Sequence, residues 1–246
     1  MTKITFKPIQ FLINSIQDFI FPPQCLGCNK DIDEGFICKK CYTIVTTSAL
    51  INCPICGLPY DHTEKCSHPT LKYNKSSPLK RIRVLGKYKM PYQNLIHHFK
   101  YQQKTEVGKL FGFALARLII SDPILSRARY LVPIPLHPAR LRERGFNQSL
   151  LLSQEISLNT NLVVLDCLKR VKNTKSQTEL NFALRVKNVE NAFAIKPGFL
   201  EITKQSLIIL VDDVITTTAT ISEASRVLQL NNAQEISAVA VAMAKT

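Results

Sequence analysis

The stretch LIILVDDVITTTAT, residues 207–220, contains the strongest indication of the fold. Five apolar residues lead into Asp212 and Asp213, and four threonines follow within five positions without a glycine. A continuous apolar run of this length predicts a strand that is buried on both faces, as in a parallel sheet. Ligands bind outside the carboxyl ends of the strands in such sheets, so we expect the two aspartates to border a binding crevice.

Strand and helix patterns alternate on both sides of this stretch. Such alternation predicts the α/β class, with a parallel sheet covered by helices on both faces. The predicted strands are 83–89, 130–136, 206–213 and 235–243, and the predicted helices are 91–101, 106–121, 147–157 and 220–231. The predicted domains are an N-terminal amphipathic helix at 1–24, a small cysteine-rich zinc-binding domain at 25–69, a basic linker at 70–82 and the α/β domain at 83–246.

The two aspartates have a chemical role that fits the end of a strand. Paired carboxylates can accept hydrogen bonds from the two hydroxyls of a ribose, or they can hold a magnesium ion. The start of the next helix offers backbone N–H groups, and threonine hydroxyls beside them complete a phosphate cradle. We therefore interpret the segment as a site for a ribose 5-phosphate group. The alternative is that the aspartates only cap the helix.

Seven of the eight cysteines lie between positions 25 and 66, in two similar halves. Each half has two cysteines separated by two residues, then nine residues, then another cysteine, and this spacing predicts one or two zinc ions. Which pairs share a metal stays open, and His62 is an alternative to the histidine ligand. The predicted ligands are Cys25, Cys28, Cys38, Cys41, Cys53, Cys56, Cys66 and His68.

The net charge of +14, from 32 basic and 18 acidic residues, favours anionic partners. Residues 72–89 contain seven basic residues with Tyr73 and Tyr88 among them, a pattern that is typical of a path for single-stranded DNA but also of an ordinary basic linker. The candidate DNA contacts are Lys80, Arg81, Arg83 and Lys87. We expect a cytoplasmic protein without stable membrane insertion, because polar residues interrupt the apolar N-terminus and no cleavage site of small residues follows.

Five segments together resemble the ComF family of competence proteins, which have a type I phosphoribosyltransferase-like domain. They are the cysteine-rich start, YKMPYQNLIHHFKY at 88–101, VPIPLHPARLRERGFNQS at 132–149, the stretch 170–193 and ILVDDVITTTAT at 209–220. The resemblance implies a protein that handles incoming single-stranded DNA in natural transformation and binds phosphoribosyl pyrophosphate with magnesium. It also implies a DNA-uptake helicase or a recombination mediator as partner. An active phosphoribosyltransferase in nucleotide salvage or modification is the alternative, and a scaffold whose pocket has decayed is a third.

The resemblance also implies roles for individual residues. Asp212 and Asp213 would hold the ribose hydroxyls, the turn 133–138 would meet the pyrophosphate, and 170–190 would form a mobile flap. The 5-phosphate would lie against Thr216, Thr217, Thr218, Ala219 and Thr220. The pyrophosphate and flap residues would be Leu136, His137, Arg140, Arg144, Arg170, Lys172, Gln177 and Arg185.

Two departures from the family pattern affect these expectations. Relatives have glycine where Thr218 stands, and a β-branched residue disfavours the positive φ that glycine adopts there. Either the loop conformation here suits threonine or phosphate binding is weakened. Pro69 stands where many relatives have another cysteine, which bears on the second zinc site.

Overall fold

The structure of the protein is a computed structural model, which describes residues 22–47, 79–102, 104–172, 189–199, 207–216 and 218–244. Within these ranges the strands are β1 (Leu79–Lys87), β2 (Tyr130–Pro133), β3 (Val163–Val164), β4 (Leu168–Arg170), β5 (Phe193–Ile195), β6 (Leu207–Ile215) and β7 (Glu235–Met243). The α-helices are α1 (Lys39–Thr47), α2 (Tyr92–Tyr101), α3 (Thr105–Ser121), α4 (Pro138–Arg144), α5 (Gln148–Leu158) and α6 (Ala219–Leu230), with a short 3₁₀ helix at Leu125–Arg127.

The main sheet has the strand order β1-β7-β6-β2-β3, and all of its strand pairs are parallel. The apolar run of β6 lies at the centre, as predicted. The register with β2 ends at Pro133 opposite Val211, whereas β7 continues beside β6 as far as Ile215. Asp212 and Asp213 therefore lie just beyond the end of β2, at the carboxyl edge of the sheet.

Successive side chains of each strand point to opposite sides of the sheet, and helices pack on both of these faces. Ile208 and Leu210 of β6 belong to a core that also contains Ile221 and Leu228 of α6. The core on the other face combines alternate residues of β6 with buried side chains of α2, α3 and α5, which include Ile209, Val211, Phe99, Leu115 and Leu152. This arrangement confirms the predicted fold class.

A second sheet pairs β4 with β5 in antiparallel orientation. The two strands flank the segment 170–190, whose role as a mobile flap stays a prediction. Residues 173–188 of the segment, including Gln177 and Arg185, lie outside the described residues.

The cysteine-rich module contacts the α/β domain at the start of α2. The Asn94 side chain donates a hydrogen bond of 3.2 Å to the Gly27 carbonyl, and the Tyr92 hydroxyl donates one of 3.2 Å to the Ile44 carbonyl. Val45 of α1 is completely buried in the core that contains α2. Any side chain at Gly27 would bring its Cβ within 2.9 Å of Pro91, so the backbone approaches α2 closely.

Two boundaries differ from the sequence prediction. β1 begins at Leu79 rather than at Arg83, because residues 79–83 already pair with β7, so the end of the predicted linker belongs to the sheet. β2 ends at Pro133 rather than at Leu136, where prolines at 133 and 135 remove the N–H groups that a ladder requires. The predicted N-terminal helix lies outside the described residues. Within the described ranges, none of the helices combines the length and the apolar character that a membrane crossing requires.

Candidate functional site

The two aspartates at the end of β6 each have a partner from a different helix. The Lys100 ammonium group of α2 lies 2.8 Å from the Asp213 carboxylate, and Asp213 is buried. The Ser149 hydroxyl of α5 donates a 3.1 Å hydrogen bond to Asp212, whose same oxygen accepts the Asp213 backbone N–H at 2.9 Å. These contacts fix the position of both carboxylates at the sheet edge.

The electrostatics of the acid pair favour a ligand that stabilises negative charge. Burial, followed by the neighbouring Asp213 carboxylate, raises the pKa of Asp212 to about 7, although Lys100 and the hydrogen bonds act in the opposite direction. Two carboxylates this close resist simultaneous ionisation. Hydroxyl donors or a divalent cation at this position would relieve that repulsion.

The segment RGFNQS connects the proline-rich turn to the acid pair. Gly145 ends α4 with a φ of 79°, a conformation that favours glycine. The Asn147 side chain donates to the Ile134 carbonyl at 3.2 Å and accepts from the Ser149 N–H at 3.1 Å, which caps α5. Because Ser149 donates to Asp212, the segment joins the turn 133–138, the start of α5 and the acid pair.

Cationic side chains surround this edge of the sheet. Arg170 lies within electrostatic reach of both Asp212 and Arg140. Burial lowers the pKa of Arg170 from its ordinary value and Arg140 adds to the effect, whereas Asp212 opposes it. Arg144 instead donates to the Gln148 side chain at 3.1 Å. Of the predicted pyrophosphate residues, Arg170 therefore lies within electrostatic reach of Asp212, and Arg140 lies within reach of Arg170.

The remaining predicted residues around the turn have local roles. His137 caps α4 by accepting the Ala139 N–H at 3.3 Å, and Leu136 lines a neighbouring cavity. Lys172 donates to the Glu190 carbonyl at 3.5 Å, which joins the two ends of the flap segment.

The loop after β6 leads directly into α6. Thr216, Thr218, Ala219 and Thr220 lie at this junction, and Thr217 is outside the described residues. Thr218 has a φ of −71° and a ψ of −2°, in the right-handed helical region. Threonine adopts this conformation without strain. Of the two alternatives that the sequence left open, the backbone at Thr218 supports the one in which the loop suits threonine.

A glycine at position 218 should therefore not improve the site. We expect Thr218→Gly to bind phosphoribosyl pyrophosphate as well as the wild-type protein, or up to about fivefold more weakly, because glycine adds flexibility that binding must remove. Isothermal titration calorimetry measures this directly. Clearly tighter binding by the variant would show that threonine compromises the loop.

A cavity of about 700 Å³ lies between the turn 133–138, α4, α5 and β4. Apolar side chains form most of its wall. Arg170 also lines the cavity, and it lies within electrostatic reach of Asp212. An ion pair between Lys196 and Asp166, with atoms 2.6 Å apart, lies at its lining. The apolar contributors include Leu136, Phe146, Leu151 and Leu168.

Four cysteines of the N-terminal module form a metal centre. The Sγ atoms of Cys25, Cys28, Cys38 and Cys41 all lie within 4.8 Å of one another, and those of Cys28 and Cys38 are 3.8 Å apart. Zinc–sulfur bonds of about 2.3 Å in a tetrahedron place sulfurs roughly 3.8 Å apart, so the thiols fit zinc. The two Cys-x2-Cys pairs of the first half therefore share one site. The predicted second set, Cys53, Cys56, Cys66 and His68, lies outside the described residues, as does its alternative His62.

Backbone N–H groups support the thiolates of this centre. The Cys38 N–H donates to the Cys25 Sγ at 3.2 Å, and the Cys41 N–H donates to the Cys38 Sγ at 3.5 Å. Although burial disfavours the charged form, backbone hydrogen bonds from Cys38, Cys28 and Gly27 lower the pKa of Cys25 to about 7. Burial and the nearby sulfur groups raise the pKa of Cys41. A bound cation would stabilise all four thiolates together.

The predicted DNA contacts on β1 differ in how accessible they are. Arg83 is 7% exposed, and its Nε lies 2.9 Å from Asp122, which Arg81 also contacts at 2.9 Å. Asp122 in turn accepts the N–H groups that open the 3₁₀ helix. The prediction that Arg83 is a surface contact is therefore wrong, because its charge is used inside the protein. Lys80 is exposed and Lys87 is half-buried.

Sequence reasoning missed Lys100 and Ser149, although each leaves a signal in its helix. Lys100 stands four residues after Ile96 on the face of α2 that is otherwise buried and apolar. Ser149 similarly precedes Leu152 and Ile156 on the buried face of α5. A polar group at such a position needs an internal partner, and here the partners are the two aspartates.

These features define the class of the protein. A parallel five-stranded sheet carries an acid pair at its carboxyl edge, followed by a threonine-rich loop and a helix start, with an antiparallel strand pair alongside. This is a type I phosphoribosyltransferase-like domain, and a zinc-binding module precedes it. The double zinc ribbon domain family matches residues 16–68.

Known proteins place the chain within a family. The DNA utilization protein YhgH of Salmonella typhimurium is 32% identical over 218 residues, which cover 81% of this chain and 87% of the relative. Competence protein F of Haemophilus influenzae is 30% identical over 220 residues, covering 87% of this chain and 93% of the relative. The chain therefore belongs to the ComF family. A solved structure of the allosteric regulatory enzyme of purine biosynthesis matches with 16% identity and a TM-score of 0.36, covering 54% of this chain and 25% of that one.

Proposed function

We propose that the protein binds phosphoribosyl pyrophosphate with magnesium and handles incoming single-stranded DNA in the cytoplasm during natural transformation. The acid pair carries the ligand part of this proposal. Asp212 and Asp213 lie at the carboxyl edge of a parallel sheet, and a helix begins six residues later. Anionic and hydroxyl groups of a sugar phosphate are complementary to these two features.

Each part of the ligand has a suitable partner among the described residues. The carboxylates of Asp212 and Asp213 would accept the ribose hydroxyls, and the start of α6 would hold the 5-phosphate. Arg140 and Arg170 would neutralise the pyrophosphate, since they lie within electrostatic reach of each other and Arg170 also lies within reach of Asp212. Carboxylate oxygens also suit magnesium, so Asp212 and Asp213 could hold the ion, which would neutralise part of the ligand's negative charge.

The DNA part of the proposal is supported by charge and by family. The relatives are named for DNA utilization and for competence. The net charge of +14 favours a polyanion, and electrostatic contacts to phosphates do not depend on base sequence. A DNA-uptake helicase or a recombination mediator would be the protein partner. The double zinc ribbon match extends to residue 68, well beyond the first zinc site. A second zinc site in that part would use Cys53, Cys56, Cys66 and His68.

The cavity between the turn 133–138, α5 and β4 favours a second candidate function, an active phosphoribosyltransferase in nucleotide salvage or modification. A volume of about 700 Å³ is typical of a small-molecule site, and so is a mostly apolar wall with a few polar groups. A flat acceptor in this cavity would lie close to Arg170, which is also close to Asp212. Release of pyrophosphate from phosphoribosyl pyrophosphate that depends on an added nucleobase would demonstrate this activity, because the base then takes the ribose carbon that pyrophosphate leaves.

The DNA part can be tested by fluorescence anisotropy with labelled oligonucleotides of different sequence. We expect binding with little sequence preference, and affinity should fall steeply with salt, with a log–log slope of about −0.7 per phosphate contact. Repeating the titration with magnesium and phosphoribosyl pyrophosphate shows whether the two ligands influence each other. Absence of binding at low salt, or an affinity that does not respond to salt, would count against this part.

A further inference from the structure

We propose that His97, Tyr101 and Arg144 form a surface on which the bases of single-stranded DNA stack. We call these three residues the stacking surface. The proposal rests on the DNA part of the proposed function and assigns that binding to a new location. Arg83 of β1, a predicted DNA contact, is buried, whereas solvent can reach the groups of the stacking surface.

The geometry of the stacking surface suits a flat ligand. Tyr101 is 59% exposed although it is a large aromatic side chain at the end of α2. The His97 ring lies one helical turn earlier, and its centroid is 5.0 Å from the Tyr101 centroid. The Arg144 guanidinium of α4 lies 5.6 Å from the centre of the Tyr101 ring. Two rings and one planar cation from two helices thus lie together at the surface.

The chemistry of this surface fits unpaired bases. Every base has a flat π-face, so stacking on aromatic rings and arginine tolerates any sequence. α4 also carries Arg140 and Arg142 against the single acid Glu143, which provides cations for the phosphates. In a duplex the bases already stack on each other and their faces are covered. The surface therefore favours single strands over duplex DNA.

The location ties the stacking surface to the proposed ligand site. Lys100 precedes Tyr101 in α2 and contacts Asp213 at 2.8 Å, whereas Tyr101 is exposed. Gln148, which accepts from Arg144, is the neighbour of Ser149, and Ser149 donates to Asp212. A strand held on Tyr101 would pass beside the acid pair.

The chain offers a matched control for a variant of Tyr101. Phe113 of α3 is an exposed aromatic residue at 37%, and Arg117 lies 5.9 Å from its ring centre. This second aromatic–arginine pair should contribute nothing to DNA binding. Tyr101→Phe is the conservative variant, because it retains the ring and removes the hydroxyl.

The test is an anisotropy titration of labelled oligo(dT) with the full-length, zinc-loaded protein. We expect Tyr101→Ala to bind about 5- to 150-fold more weakly, the range expected when one base loses the aromatic ring on which it stacks. Tyr101→Phe and Phe113→Ala should match the wild-type protein. Arg144→Ala should weaken binding and reduce the magnitude of the log–log salt slope by about 0.7, whereas Tyr101→Ala should leave that slope unchanged.

Photocrosslinking with an oligonucleotide containing 5-iodouracil provides a direct readout, and the peptide containing Tyr101 should carry the crosslink. Equal affinities of Tyr101→Ala and Phe113→Ala would overturn the proposal, as would crosslinks confined to other peptides. Tighter binding of duplex than of single strands would overturn it as well. If the wild-type protein binds no DNA, the DNA part of the proposed function fails too, and this result differs from wild-type binding that is insensitive to Tyr101.

Discussion

Cys25→Ser should unfold the zinc module and also weaken binding of phosphoribosyl pyrophosphate at the distant acid pair. Structural zinc contributes about 10–16 kcal/mol to the folding of small modules, so loss of one ligand is severe. The module packs on the start of α2 through the contacts of Tyr92 and Asn94. The end of the same helix places Lys100 against Asp213. Zinc content, thermal unfolding and calorimetry measure the three consequences.

Cys167→Ala is the matched control for this experiment. Cys167 is fully buried in the core of the α/β domain and does not belong to the cysteine cluster. Its removal should reduce stability modestly and leave the zinc content unchanged. Full zinc content in Cys25→Ser would refute the metal centre, whereas normal ligand affinity in a zinc-depleted variant would refute the coupling through α2.

Replacement of both aspartates by alanine should abolish binding of phosphoribosyl pyrophosphate. The ribose hydroxyls would lose their acceptors, and Lys100 would lose its partner at the sheet edge. Asparagine at both positions should reduce binding rather than abolish it, because the amide carbonyl still accepts a hydrogen bond. Calorimetry of folded variants, verified by circular dichroism, provides the comparison. Binding by the double alanine variant at wild-type affinity would disprove the site.

The pH dependence gives a signature that a purely structural aspartate would lack. The pKa of Asp212 is raised to about 7, so the carboxyl is protonated below that pH and ligand affinity should increase as pH rises through it. An aspartate in the unfolded chain has a pKa of about 4. Because the pKa of Asp212 is higher in the folded state, its contribution to stability is fully present below about pH 4 and is lost as the pH rises through 7. Asp212→Asn should therefore bind ligand more weakly at pH 8 and yet unfold at a higher temperature. The ligand affinity of Asp212→Asn should also change less with pH than that of the wild-type protein. The ligand's own titration affects both proteins equally, so the difference between them reports on Asp212.

Local sequence patterns predicted most of the fold. The apolar run of β6 could only be buried on both faces, and helical periodicity located α2, α3, α5 and α6 to within two residues. The position of the acid pair followed, since it depends only on where a buried strand ends. The spacing of the cysteines likewise predicted a metal, although the sharing of one site by the first two pairs needed the structure.

The contacts that sequence could not supply are those between distant segments. Arg83 lies 39 residues before Asp122, and no local pattern indicates which cation of a basic stretch finds a buried acid. The same holds for Ser149 and Asp212, which are 63 residues apart. Thr218 differs from these examples, because whether threonine fits there depends on its own backbone angles and not on a distant partner. The residue type alone did not indicate those angles.

Calorimetric titration of the wild-type protein with phosphoribosyl pyrophosphate and magnesium tests the central claim most directly. The acid pair, the helix start and the neighbouring arginines predict saturable binding at one site per chain, which disappears when Asp212 and Asp213 are both alanine. Ribose 5-phosphate should bind more weakly, because it lacks the pyrophosphate that Arg140 and Arg170 would neutralise. No binding by the wild-type protein, and none by Thr218→Gly, would contradict the account and leave the sheet as a scaffold without this ligand.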